Sequence, residues 1–126
     1  MIFDLSIITA NADAIRGAFL VTIYTWLVGS VLGLVTGLFI AALMLFGGRP
    51  LQLILRVFIE LVRGTPFLVI LFLVYYGGPS FGVRLGAITA GVLCIAFYSS
   101  VYFAEIFRSG FAAVPAGNWK LASAWD

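Results

Sequence analysis

Oppositely charged residues stand at helical spacing in this chain, among them Arg56 with Glu60, four apart, and Glu105 with Arg108, three apart. On a helix the members of each pair lie on one side and are able to join, a contact worth about 0.2–0.5 kcal/mol. That is the chemistry of positioning. Turnover would need other groups, and the sequence lacks them. There is no histidine, and the five acidic residues form no carboxylate pair. No nucleophile stands beside a visible base, and no GxxxxGK[ST] phosphate loop occurs, so the chain is not expected to be an enzyme. The single cysteine, Cys94, sits inside an apolar run, which leaves no disulfide framework and no metal-ligand cluster. No cofactor is expected.

The segments that must position these charges are greasy. Apolar residues make up 63% of the chain and charged residues 10%, against about 45–50% and 25% in soluble domains. Too few polar residues remain to cover a soluble surface. A net charge of +2 without a basic run gives no case for nucleic acid. The lipid bilayer is the expected environment, and the fold class is an all-α integral membrane bundle.

Three spans are expected, at about 19–46, 57–76 and 85–104. Residues 1–16 carry Asp4, Asp13 and Arg16 without the layout of a signal peptide, and are read as an arm at the membrane surface. From Gly17 to Gly48 no residue is charged, a run well beyond the ~20 residues that cross a bilayer. Gly29, Gly33 and Gly37 recur there at every fourth position, which predicts a seam where a second helix approaches closely. The alternative is the ordinary abundance of glycine in membrane helices. Gly47 to Pro50 reads as the following turn. Beyond it Gln52, Arg56, Glu60 and Arg63 make one polar stripe on an otherwise apolar helix. The stripe faces water, a vestibule or a partner, or else the lipid headgroups, and the sequence favours neither.

The second span has to borrow residues before Pro66, because Phe67–Tyr76 alone covers only ~15 Å. Either Pro66 kinks one long element, helped by Gly64 and Thr65, or Thr65 caps a new helix with Pro66 at its first position. Gly77 to Arg84 reads as a loop, with Tyr75 and Tyr76 at the membrane boundary. In the third span Gly86, Ala87, Ala90 and Gly91 form a small-residue face suited to packing. Tyr98, Ser99, Ser100 and Tyr102 either line a polar path or bond back to their own helix, the second being the better supported.

The last stretch, Tyr102 to Asp126, is made for water. Gly110 loosens a helix, Pro115 and Gly117 turn the chain, and Asn118 is a plausible N-cap for a short helix bearing Leu121 and Trp125 on one face. That is a docking element for another protein. Lysine and arginine placement orients it: Arg49, Arg56, Arg63, Arg108 and Lys120 fall after spans one and three, Arg16 and Arg84 on the other side. By the positive-inside rule the N-terminus is outside and this stretch cytoplasmic.

Three motifs carry a resemblance. GAFLVT at Gly17–Thr22, ELVRGTPFLV at Glu60–Val69, and AEIFRSG (104–110) followed by VPAGNW (114–119) and ASA (122–124) resemble, in that order, the permeases of ABC transporters. Within them the chain is most similar to the polar and basic amino-acid importers of the histidine–glutamine–arginine–opine group. The resemblance covers the chain from about Gly17 onward and implies a type I importer permease fold, incomplete here, in a bacterial inner membrane. It implies three partners: a cytoplasmic ATPase subunit that hydrolyses ATP, a second permease subunit, and an extracytoplasmic solute-binding protein. It casts residues 105–126 as the coupling loop, with Gly117, Asn118, Trp119, Lys120, Leu121, Ala122 and Ala124 meeting the ATPase. Glu60, Arg63, Gly64, Thr65 and Pro66 become a family signature related to structure and gating.

The sequence departs from the family's coupling helix, having Lys120 for its glutamate, Leu121 for its first alanine and Asp126 for its glycine. Similar permeases continue with two further spans, so the chain is expected to be the N-terminal part of a longer permease. The competing expectation is a small helical membrane protein that packs on partners and transports nothing.

Overall fold

The computed structural model describes residues 4–115, and among them every regular element is helical. Helix α1 (Leu5–Ala10) is exposed along its length and begins at Asp4, whose carboxylate accepts from the Ser6 N–H at 3.0 Å. Asn11 separates it from α2 (Ala12–Phe46). At 35 residues and 1.5 Å per residue, α2 is about 52 Å long. Its threonines do not interrupt it. The hydroxyls of Thr22, Thr25 and Thr36 donate to carbonyls four residues back at 2.8–2.9 Å, which satisfies them inside the helix as lipid requires.

Gly47 and Gly48 turn the chain on extended backbone, and α3 (Arg49–Gly64) starts with Pro50 in its first turn, where the missing N–H has no helical partner to lose. Thr65 is extended, as the residue before a proline prefers. Helix α4 (Phe67–Phe72) follows, running into a π-helical turn at Leu73–Gly77 and a 3-10 turn at Gly78–Phe81. The expected loop from Gly77 is therefore wound for its first half. Its exit needs two glycines: Gly82 adopts φ 81°, and a side chain on Gly78 would meet the Val83 carbonyl at 2.7 Å. Helix α5 (Ala87–Ala112), 26 residues or about 39 Å, completes the described chain.

The element expected over 57–76 is bent far more sharply than a proline kink implies. The axis turns by 97° between α3 and the arm that α4 begins, a corner rather than a kink. The capping alternative is corrected as well, since the Thr65 hydroxyl donates backward to the Leu61 carbonyl at 2.9 Å and α4 starts after Pro66. Gly110 does not loosen α5, which stays helical to Ala112.

Helices α2 and α5 make the main contact, and their register shows them parallel. Gly29 lies against Val92 and Ile95, Gly33 against Ala96 and Ser99, and Gly37 against Ser100, Phe103 and Ala104. Helix α4 runs the other way beside α5, with Phe67 at Tyr98 and then Ile70 and Val74 beside Leu93 and Leu85. The end of α2, the C-terminal half of α3 and the C-terminal half of α5 enclose a cluster of Met44, Ile59, Val62, Val101 and Ala104. Outside it large apolar side chains are mostly exposed, Phe39, Leu61 and Leu68 among them, as lipid-facing residues would be. Helices α2 and α5 are each long and apolar enough to cross a bilayer, and the bent α3–α4 pair qualifies if counted as one span. Two parallel crossings place Phe46 and Ala87 at opposite ends of the bundle, so residues 47–86 must bring the chain back.

Candidate functional site

The signature residues form the corner between α3 and α4, and both of its sides lean on one face of α5. The Arg63 guanidinium lies 5.5 Å from the Tyr102 ring centre, and Phe67 meets Tyr98 edge-on at 5.5 Å. Tyr98 and Tyr102 share a hydroxyl–hydroxyl hydrogen bond at 3.2 Å, so the two supports are tied together. Glu60 pairs with Arg63 at 3.6 Å, not with Arg56 as its spacing allowed. With side chains 68% and 37% exposed, that pair contributes little to stability and serves to aim the guanidinium. Nothing lies within 4 Å of where a Gly64 side chain would begin, so close packing is not the reason for this glycine.

A second group of charges sits where α5 leaves the apolar layer. Arg108 holds both oxygens of Glu105, at 3.1 and 2.5 Å, in a two-pronged pair. Arg63 and Arg56 also act on Glu105 through space. Next to it a cleft of about 180 Å³ is lined by Met44, Leu45, Gln52, Arg56, Arg108 and Ala112. The Gln52 amide donates to the Gly47 carbonyl at 3.3 Å, pinning the start of α3 to the preceding turn.

Gly29, Gly33 and Gly37 are all buried against α5. The small-residue face at the start of the third span is not their counterpart. Of Gly86, Ala87, Ala90 and Gly91 only Ala90 is buried, and Gly91 opens onto free space. The surface facing the glycines comes later in α5. It includes the backbone at Val92, Ala96, Ser100 and Ala104, the last three being small residues that recur at every fourth position. Ser99 and Ser100 donate to the Ile95 and Phe97 carbonyls, both at 2.6 Å, which removes them from any polar path. The coupling residues Gly117, Asn118, Trp119, Lys120, Leu121, Ala122 and Ala124 lie outside the described residues.

The sequence reading missed the Arg63–Tyr102 contact and the cleft that gathers Gln52, Arg56 and Arg108. Both join elements distant in sequence, and no spacing within one helix announces them. The stripe on α3 was the only available signal.

The arrangement thus sets a charged corner and a polar cleft beside one end of a parallel pair of apolar helices. Residues 29–124 match the binding-protein-dependent transport system inner membrane component family, and the chain belongs to that family. It is 38% identical over 103 residues to the probable amino-acid ABC transporter permease protein YckA of Bacillus subtilis, covering 79% of this chain and 46% of that protein. It is 33% identical over 99 residues to the L-cystine transport system permease protein TcyB of the same organism, covering 79% of this chain and 41% of that one. The fold is that of type I ABC permeases. A crystal structure of an amino acid ABC transporter with histidines superposes with a TM-score of 0.83 at 36% identity, over 99% of this chain and 58% of the other. The chain thus spans about half the length of the curated relatives it matches.

Proposed function

We propose that the chain forms the membrane-embedded part of an ABC importer that carries amino acids inward, polar or basic ones in particular. The observation that carries this reading is the superposition on an amino acid ABC transporter over nearly the whole chain. Relatives described as L-cystine and glutamine permeases support a polar substrate. The N-terminus is outside, three spans cross the inner membrane, and residues 105–126 face the cytoplasm. A separate ATPase docks on 117–124, with Trp119 and Leu121 as buried anchors of the kind that dominate interfaces. A second permease subunit completes the pathway, and a solute-binding protein delivers substrate from outside. ATP binding then biases an equilibrium between inward- and outward-open states through contacts that differ between them. In this scheme the corner at Glu60–Pro66 is a gating element, and α2 with α5 is the rigid body against which it moves.

The test is capture of the cognate ATPase by this chain and by a version extended to the relatives' length, each with and without Trp119→Ala. Capture that Trp119→Ala weakens, and ATP hydrolysis by the ATPase bound to the extended version that glutamine, cystine, histidine or arginine stimulates through the binding protein, are the expected results. No capture by either version, or stimulation by sugars and not by amino acids, would overturn the reading.

A further inference from the structure

We infer that the cleft between the C-terminal ends of α2 and α5 and the start of α3 binds the phosphate headgroup of an anionic phospholipid. This inference rests on the orientation proposed above, which puts the cleft at the cytoplasmic leaflet. Three features of the cleft agree. Its charged wall is Arg56 and Arg108 with the Gln52 amide, and its apolar wall is Met44, Leu45 and Ala112. Arg108 is committed to Glu105, whereas Arg56 has no carboxylate within ion-pair distance among the described residues. Around it Arg56, Arg63 and Arg108 outnumber Glu60 and Glu105, so the local balance is positive.

The cleft's position decides what anion it meets. Leu45 and Phe46, 44% and 90% exposed, end the apolar run of α2, and Gly47 to Arg49 begins the polar one. On α5 it is the last turn, at Arg108 and Ala112, that reaches the level of Leu45. A guanidinium at this boundary stands level with lipid phosphates, and the exposed Leu45 and Phe46 offer an acyl chain a track beside it. Phosphate also matches the planar fork of arginine, which gives two parallel donors. Free phosphate would use the same donors without the track. Juxtamembrane cations attract anionic leaflets through the surface potential, and a built cleft adds a fixed place to that attraction.

The experiment is native mass spectrometry of the 126-residue chain released from micelles that contain phosphatidylglycerol, phosphatidylcholine or inorganic phosphate. Retention of phosphatidylglycerol above phosphatidylcholine is expected, with no phosphate adduct. Arg56→Gln should lower that retention about fivefold, the equivalent of the ~1 kcal/mol that one basic residue contributes near an anionic leaflet. Arg56→Lys should restore part of it, and Arg84→Gln, outside the cleft, should leave it unchanged. Circular dichroism of each variant guards against misfolding, because a folded Arg56→Gln chain that keeps its lipid overturns the inference. So does equal retention of inorganic phosphate. If Arg56→Gln instead spares lipid and weakens ATPase capture, the cleft belongs to a protein partner and the lipid assignment fails. Loss of lipid with ATPase capture intact leaves the permease reading untouched.

Discussion

Arg63 of α3 stands over the ring of Tyr102 on α5, its guanidinium 5.5 Å from the ring centre. This contact fastens the end of α3 to the helix that α2 also grips, one residue before the chain turns its corner.

If that contact holds the corner, Arg63→Gln and Tyr102→Leu should each destabilise the fold, and the double variant should lose less than their sum. The coupling energy expected is about 0.5–1 kcal/mol for a partly exposed cation–aromatic pair. Unfolding of the four proteins in mixed detergent micelles measures it. Strict additivity would show that the two residues are neighbours without an energetic bond.

The glycine seam makes a graded prediction. A β-carbon on Gly37 would lie 2.6 Å from Phe103 Cβ and 2.7 Å from the Ser100 carbonyl, where backbone has to move. Gly37→Ala should therefore cost on the order of 1–3 kcal/mol, the range for overpacking. Gly33→Ala first meets the Ser99 hydroxyl, which is able to turn away, although the Ala96 carbonyl is also close at 3.0 Å. It should cost less than Gly37→Ala, and Gly33→Leu should prevent packing altogether. Gly91→Ala enters open space and should stay within about 1 kcal/mol of the parent. Denaturation midpoints in detergent rank the four, and equal costs at Gly37 and Gly91 would dismiss the seam.

The start of α1 gives a pH-dependent signal. The Ser6 hydroxyl, and after it the Ser6 N–H, hold the Asp4 carboxyl below its ordinary value. A depressed folded value means that the cap's contribution is present above the unfolded carboxylate range and is lost as pH falls through the folded value. The Ser6 amide resonance should thus keep its capped position at neutral pH and shift only in acid, below the range of a free aspartate. Asp4→Asn should abolish that titration. A Ser6 shift that follows an ordinary aspartate curve would contradict the cap.

Topology follows from the five-to-two placement of lysine and arginine. A cysteine replacing Ser80 should react with an impermeant maleimide on intact cells, and one replacing Val114 only after permeabilisation. The Cys94→Ser background removes the native thiol, which is buried. Labelling of Val114→Cys from outside would reverse the orientation.

Long-range uniformity made the bundle legible. The charge-free run of α2 and the apolar run of α5 stand out in any window, and the period of Gly29, Gly33 and Gly37 is a helix's own. The corner was less so. Pro66 marked a break, but a proline's local sterics do not say how far the axis turns. That angle is set by Phe67 on Tyr98 and Arg63 on Tyr102, contacts between helices far apart in sequence. The seam's second surface went unnamed for a related reason. Gly86 and Gly91 looked apt, whereas the contact uses backbone near Ala96 and Ser100, laid bare because α2 has glycine there. Small residues therefore meet on both helices, with Ala96, Ser100 and Ala104 facing Gly33 and Gly37.

The parallel register of α2 and α5 also bears on how the protein is made. Gly29 and Val92 touch, yet everything that lies between them in sequence, the corner included, must be synthesised first. The glycine groove of α2 thus enters the bilayer before its occupant exists and spends that interval filled by lipid tails. Because association in lipid gains little from apolar burial, the groove is held open by shape alone. Any small-faced helix already nearby competes for it until Ser100 arrives. Under the three-span proposal biogenesis then depends on the return arm: the faster residues 47–86 recross, the shorter the time in which α2 stands unpaired.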